Sequence, residues 1–586
     1  MNLEARQPVQ SDRKLLAGYV KPQDGTWDEL LDAAGNVRPH WRPFIDALST
    51  LPAAEQTERA EGLNRRVREM GIAHDIFADP AAPGKRWEVD FIPLVLASTD
   101  WHQLEKAILQ RTRLMNAILA DVYGEQRLLR EGLIPPALVF SDPAFLTPCH
   151  GIQPASGYLQ FYAIDFAREA DGSWRIIDNH TETPAGIGYA LANRVVHTHV
   201  AGDLFEACNC LRLAPFFQSV QAGLTALTGR RDPRIALLTP GSHHDDYFSH
   251  AYLARYLGYL LVEGSDLRTA GDRVFLKTLE GLKRIDLIVR CVEGRQCDPL
   301  ELDAARYGGP PGLVAACRKN PELTRNALGS AVAQNRGLAA YLPAICRKLY
   351  GEELLIADAP RRWLGEASNR QHVLNNLDRM VVRPAQEGTG RPGGAQYGQL
   401  GSSLTDAQRR ALKEEIELHG ETLVAEQRIG FGTTPAFTPR GLVPQPFAVR
   451  MFVAATADGY TVMPGGLSMA IVPNLAVALS APEPRTRDVW VVTDGEVPPH
   501  RSLWQPTIET ARVQRSQRVI QSRVADDLFW LGRYAERSDW IMRVLRSALQ
   551  PLRGDNAPSH VQGAALACLE ALATGETDAT APVTLS

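Results

Sequence analysis

Three arginines sit in otherwise apolar, β-prone runs: Arg290 in LIVR, Arg383 in MVVRP and Arg450 in FAVRMFV. A guanidinium projecting from a buried strand needs an anionic partner, because leaving a desolvated charge unpaired is costly. That partner is either a carboxylate of the chain or a ligand phosphate. Two short segments bring acids and imidazoles together. In DNHTET (178–183), Asp178, Asn179 and Glu182 offer hard oxygens of the kind Mg2+ takes; the plainer reading is turn chemistry after a hairpin. HHDD (243–246) lies at a strand-to-helix junction, where Asp245 and Asp246 equally suit an N-cap or a first helical turn. GTGRPGG (388–394) fits G-x-G-x-x-G, but AQYGQL behind it does not read as the helix a dinucleotide fold requires. It reads as a surface loop or as a phosphate-covering loop whose bare N–H groups cradle an anion. Other chemistries lack support. There is no G-x-S-x-G elbow and no H-E-x-x-H pair. Cys149 and His150 are adjacent, and adjacent side chains rarely face each other.

The elements that must position these residues follow from pattern. Apolar residues Leu104, Ile108, Leu114, Ile118 and Leu119 predict a helical region over 98–131. LQFYAIDFA and SWRIID predict a hairpin closed by Asp171-Gly172, and FAVRMFVA and YTVMPGG a second one at Asp458-Gly459. RIALLTPG, the DDYFSHAYLARYLG helix ending at Gly258, and YLLVEG form a βαβ unit, with RIDLIVR (284–290) as a further strand. WDELLDAAGNVRPHWRPFIDAL reads as two short helices. The arginine-rich stretch up to Arg523 reads as a solvated linker. Beyond it, Leu531, Tyr534, Ala535, Ile541, Met542, Leu545 and Leu549 stripe an amphipathic helix capped by Asp526 or Asp527. A second, Ala-rich helix follows near 560–573. Two helices cannot bury both stripes alone.

With 586 residues, 45% of them apolar and 22% charged, the chain is expected to be globular and multidomain. Lysines and arginines (63) nearly balance the acids (67), so no global field favours nucleic acid or an anionic membrane. The eight cysteines form no CxxC pair, and the N-terminus lacks a signal-peptide core. The expectation is a cytoplasmic protein without membrane or nucleic-acid partners.

Many co-linear segments together resemble the circularly permuted type 2 ATP-grasp family. They include GTWDELLDAAGNVRPHW, KRWEVDFIP, DVYGEQRLLREGLIPP, PAGIGYALANR, LLTPGSHHDDYFSHAYLARYLGYLLVEGSDL, LKTLEGLKRIDLIVR, CDPLEL and YTVMPGGL. DDLFWLGRYAERSDWI resembles the opening of an alpha-E helical domain. The resemblance implies a mixed α+β and α/β architecture. It comprises an N-terminal region (1–95), an ATP-grasp unit (96–495) with a Rossmann-like part near 230–300, a linker (496–523) and truncated alpha-E-like helices (524–586). It also implies ATP and Mg2+ as cofactors, and a carboxylate–amine ligation through an acyl phosphate on small-molecule or peptide substrates. Such a site needs cations at the phosphates and carboxylates at the metal.

Carried over residue by residue, the resemblance gives Asp178, Glu182 and Asn193 the metal, and Arg383, Glu426, Gln427, Arg450, Gly465 and Gly466 the nucleotide. Arg194 and Arg290 take the phosphate or the acid. The sequence departs from the family at Asn179-His180 (an Asp-Arg pair), Ala192 (Glu), Arg383 and Arg487 (Lys), and Ser468-Met469 (Arg). Asn adds no charge at a metal and Ala no ligand. Two expectations follow: a ligase whose metal site is remodelled around Asp178 and Glu182, or a catalytically degenerate scaffold whose C-terminal helices bind a protein partner.

Overall fold

The computed structural model describes residues 15–16, 18–21, 25–72, 87–386, 398, 400–427, 429–471, 485–497, 503, 520–552 and 558–574. The GTGRPGG segment and most of the 496–523 stretch lie outside the described residues. The chain divides into two compact units: residues 1–275 with 284–511, and residues 276–283 with 512–586.

The first unit is built on a nine-stranded mixed sheet. Its centre is the long strand Gly441–Thr456, whose FAVRMFVA run is buried at every position. Such a run suits a strand covered on both faces. It pairs antiparallel with Phe161–Arg168 on one side and Leu467–Ala470 on the other. Phe161–Arg168 turns into Trp174–His180 through Asp171-Gly172, with Gly172 at φ 85°. This is the hairpin expected from the turn pair. Gly459, at φ 129°, likewise closes the second expected hairpin. The central strand starts earlier than its pattern suggested, because Gly441–Pro446 also pairs back onto Thr433–Thr438.

A separate four-stranded sheet is wholly parallel: Thr324–Arg325, Leu287–Arg290, Ile235–Leu238 and Leu260–Val262. The Tyr247–Leu257 helix makes the crossover and stops at Gly258, φ 74°. The βαβ reading holds, and Arg290 ends its central strand. A third sheet, antiparallel, orders Arg361–Trp363, Leu423–Gln427 and Met380–Pro384. It carries its own small core around Leu364, Leu377, Val382, Leu412 and Ile416.

Three expectations are corrected. The 98–131 helix ends at Val122, because the Asp121 carboxylate turns back to accept from the N–H groups of Arg127 and Leu128 and starts a short new helix there. Residues 27–38 are not helical. They form bridges, Asp28 to Thr433 and Leu31 to Val37, and the buried Asp28 carboxylate takes the Leu30 and Leu31 N–H groups. In the second unit the helix runs Ser522–Leu552, so Asp526 and Asp527 lie inside it rather than at its cap. Its neighbour is Ser559–Thr574.

Phe452 is fully buried in the central strand. Phe452→Ala is expected to cost about 3–5 kcal/mol through lost burial and a residual cavity, seen as an earlier urea midpoint.

Candidate functional site

Strand register brings three charged side chains into one row. Arg450 lies opposite Asp165, and Asp165 lies opposite Asp178. Two facing carboxylates repel, so each must be neutralised. Arg450 grips Asp165 in a bidentate pair, Nε to Oδ1 at 2.7 Å and Nη2 to Oδ2 at 2.8 Å. His180 Nε2 lies 2.9 Å from Asp165 Oδ2 and 2.7 Å from Arg450 Nη2. Burial alone would raise the Asp165 carboxyl, but Arg450 and His180 overcome it and hold it below the usual range.

Asp178 is held more heavily. Arg336 donates to both of its oxygens, at 2.7 and 3.2 Å, and Arg383 to Oδ2 at 2.9 Å. Arg361 stands 3.6 Å away. Arg361 and Arg383 also clamp Glu426, at 2.7 and 3.1 Å. All five side chains are buried. Burial opposes ionisation of Asp178, yet Arg336, Arg383 and Arg361 together keep its carboxyl well below the ordinary range. Among the described residues two carboxylates face three guanidiniums, and Arg361 Nη1 has no hydrogen-bond partner among them.

Glu182 is fixed through Oε1, which accepts from the Gly294 N–H (2.5 Å) and from Arg290 Nη1 (3.3 Å). Its Oε2 accepts no hydrogen bond from the described residues. Arg290 is otherwise absorbed by the carbonyls of Val292, Asn326 and Ala327 and by Ser330 Oγ.

A cavity of about 660 Å3 opens onto these groups, a volume typical of small-molecule sites. Asp165, Asp178, His180, Glu182 and Arg450 line it, as do the HHDD segment, Glu293, Arg295, Arg306 and Gln386. Trp87 and Tyr189, stacked at 4.0 Å, form an aromatic wall.

The strand arginines thus have protein carboxylates as partners. Arg383 and Glu426 stand behind Asp178, and Arg290 behind Glu182, rather than on the cavity wall. Five expected site residues fall elsewhere. Asn193 Oδ1 accepts from the Trp87 indole and its amide donates to Thr486. Arg194 pairs with Asp488 at 2.6 Å and donates to the carbonyls of Leu211 and Val489. Both are buried packing groups. Gly465 and Gly466 allow close approach: a Cβ would lie 2.9 Å from Leu213 at the first and 2.4 Å from the Arg450 carbonyl at the second. Gln427 is the exposed last residue of its strand. Asp165, Arg336 and Arg361 were not singled out in the sequence. Asp165 carried a signal, an acid inside the apolar run YAIDFA. Arg336 and Arg361 carried none.

The donor set can be tested against a metal. Both Asp178 oxygens are committed to guanidiniums, Ala192 offers nothing and Asn193 is turned away. Among the described residues no group of three or more His, Cys, Asp or Glu stands ready to hold an ion. A Mg2+ caged by the protein alone does not fit these residues.

Residues 93–470 match the model of the family described as circularly permuted ATP-grasp type 2. The chain belongs to this family. Residues 520–584 match Alpha-E, described as a predicted alpha-helical domain with a conserved ER motif; Glu536-Arg537 supplies that dipeptide here. The chain is similar to an uncharacterized protein of Mycobacterium tuberculosis, 32% identical over 557 residues that make up 91% of this chain and 62% of that protein. It therefore spans less than two thirds of that relative. An uncharacterized protein of Synechocystis is 29% identical over 474 residues, 80% of this chain and 97% of its own length. The same identity extends over 494 residues of an uncharacterized Mycobacterium leprae protein. No described helix of this ATP-grasp chain is long and apolar enough to cross a membrane.

Asp178→Asn in the ATP-grasp unit strips the arginine cluster of one of its two counter-charges. Breaking such a buried pair is expected to cost about 3–5 kcal/mol, read from urea denaturation. Near the cavity, burial pushes the Asp142 carboxyl up to about 6 despite its bond from the Ala144 N–H. The folded chain then holds a proton that the unfolded chain has released. The resulting stability is complete below about pH 4 and is lost as pH rises through about 6. Asp142→Asn should remove that slope from a plot of urea midpoint against pH.

Proposed function

We propose that the ATP-grasp unit is an ATP-dependent carboxylate–amine ligase working in the cavity lined by Asp165, Asp178, His180, Glu182 and Arg450. The observation that carries this reading is the convergence of those charged groups, drawn from separate strands and loops, on one ligand-sized space. When bound, ATP supplies the phosphoryl group that activates a substrate carboxylate as an acyl phosphate. The protein's own part is electrostatic. Arg450 and His180 meet negative charge at the cavity wall. The arginines behind Asp178 hold that carboxylate in place, and fixed charges of this kind act strongly where water is excluded. Glu182 lines the same space, and its second oxygen is suited to orient an attacking amine and take its proton. In this reading arginines carry much of the charge compensation that a protein-held metal would otherwise give.

A second reading is a catalytically degenerate scaffold. It draws on the saturation of Asp178 by three guanidiniums and on the packing roles of Asn193 and Arg194.

Thermal denaturation with millimolar ATP and Mg2+ separates the two. A ligand at 100 times its dissociation constant stabilises by about 2.7 kcal/mol, which should appear as a rise in Tm. Glu182→Gln keeps the acceptor for Gly294 but removes the charge, and should abolish any ADP formation seen with the unsubstituted chain. An unmoved Tm at millimolar ATP would leave the scaffold reading standing instead.

A further inference from the structure

The wholly parallel sheet reverses its direction of growth once. From Ile235–Leu238 the chain adds Leu260–Val262 on one side, then returns to add Leu287–Arg290 and Thr324–Arg325 on the other. Such a reversal opens a crevice outside the carboxyl ends of the two strands that flank it, and sheets of this kind take their ligands there. Here the segments leaving both strand ends line the cavity: Pro240 and residues 243–246 after the first strand, Cys291, Glu293 and Arg295 after the second.

Two arginines of this crevice differ from the buried ones. Arg290, Arg383 and Arg450 are spent on carboxylates and carbonyls of the chain. Arg295 and Arg306 line the cavity, yet among the described residues neither guanidinium donates a hydrogen bond. Their acidic neighbours Glu293 and Asp303 lie at 4.0 and 3.9 Å, beyond hydrogen-bond length. The backbone that carries them is nevertheless fixed. The Asp303 N–H donates to the Arg295 carbonyl at 3.1 Å and the Gly308 N–H to the Gln296 carbonyl at 2.9 Å. The two loops pack so closely that a Cβ on Gly308 would stand 2.5 Å from Val292. Only the two side chains need to be ordered by a ligand, which keeps the entropic cost of binding low.

Their position beside Glu182 indicates what they hold. The Gly294 N–H donates to Glu182 Oε1 at 2.5 Å, and the Arg295 Cα follows that of Gly294 at about 3.8 Å. A ligand whose amine meets Glu182 brings a neighbouring carboxylate within reach of Arg295. Asp245, Asp246 and Glu293 line the same crevice. A triphosphate would meet like charge there, whereas a ligand carrying both an ammonium and a carboxylate finds a partner for each. We infer that Arg295 and Arg306 form a carboxylate-binding subsite, and that the amine substrate is itself an amino acid or a peptide. The role of that amine rests on the ligase reading; the binding of the carboxylate does not.

The test is calorimetric titration of the full chain with three probes at millimolar concentration: the dipeptide alanylalanine, 1,4-diaminobutane, and ATP with Mg2+. The dipeptide is expected to bind and the diamine, which lacks a carboxylate, is not. Arg295→Gln with Arg306→Gln should weaken the dipeptide at least about tenfold, the loss expected when charge-assisted hydrogen bonds to a carboxylate are removed. The same double variant should leave the affinity for ATP and the thermal transition in place, and Arg295→Lys with Arg306→Lys should restore most of the dipeptide binding. A chain that ignores the dipeptide, or binds the diamine equally well, overturns the inference. So does a double variant that binds the dipeptide undiminished, or one that loses ATP instead, since the arginines would then serve the nucleotide phosphates. Dipeptide binding lost in the double variant, with no response to ATP in either chain, upholds the subsite and removes the ligase reading.

Discussion

Compensation of buried charge is the constraint on which this ATP-grasp unit depends. Register sets Asp165 and Asp178 side by side on neighbouring strands, and neither can remain ionised out of water without an opposite charge. Arg450 serves the first; Arg336, Arg361 and Arg383 serve the second, with Glu426 dividing the load. Because Glu426 and Arg383 belong to the three-stranded sheet and Asp178 to the nine-stranded one, the ion cluster also joins the two sheets. Ion pairs of this kind add little net stability over apolar packing. Their consequence is placement, and here they hold five charged side chains at the back of one cavity.

The same compensation changes how the metal site must be read. In sequence, Asp178 and Glu182 look like oxygens waiting for Mg2+. In the folded chain Asp178 is already held by guanidiniums, and Glu182, which lines the cavity, commits one oxygen to Gly294 and Arg290. A divalent cation approaching Asp178 would meet the three guanidiniums that already surround it. With Asn179 and Ala192 standing where the family pattern has Asp and Glu, two carboxylates are missing from this part of the chain.

Other features of the pattern have packing explanations. Gly465 and Gly466 let their segment lie against Arg450 and Arg194. Asp298, buried, accepts from the N–H groups of Gly312 and Val314 at the start of a helix. Cys149 is buried with its thiol pushed up to about 12, which removes it as a nucleophile. His150 meets the Gly124 carbonyl instead of the thiol.

Local pattern determined much of the architecture. The Asp-Gly turns, the apolar strands, the helix closed by Gly258 and the striped C-terminal helix are each decided by a few neighbouring residues, because turn conformation and side-chain periodicity are short-range properties. The strand arginines announced that carboxylates or phosphates must lie opposite. Which ones did was decided only by tertiary structure. Arg336 and Arg361 lie 158 and 183 residues from Asp178 in the chain, and nothing local to them signals an ion pair. Asn193 and Arg194 look like site residues beside Ala192, yet the helix bearing them is packed so that both are spent inside the core. Coulomb interactions and desolvation depend on distance in space and on burial, and a linear sequence carries neither.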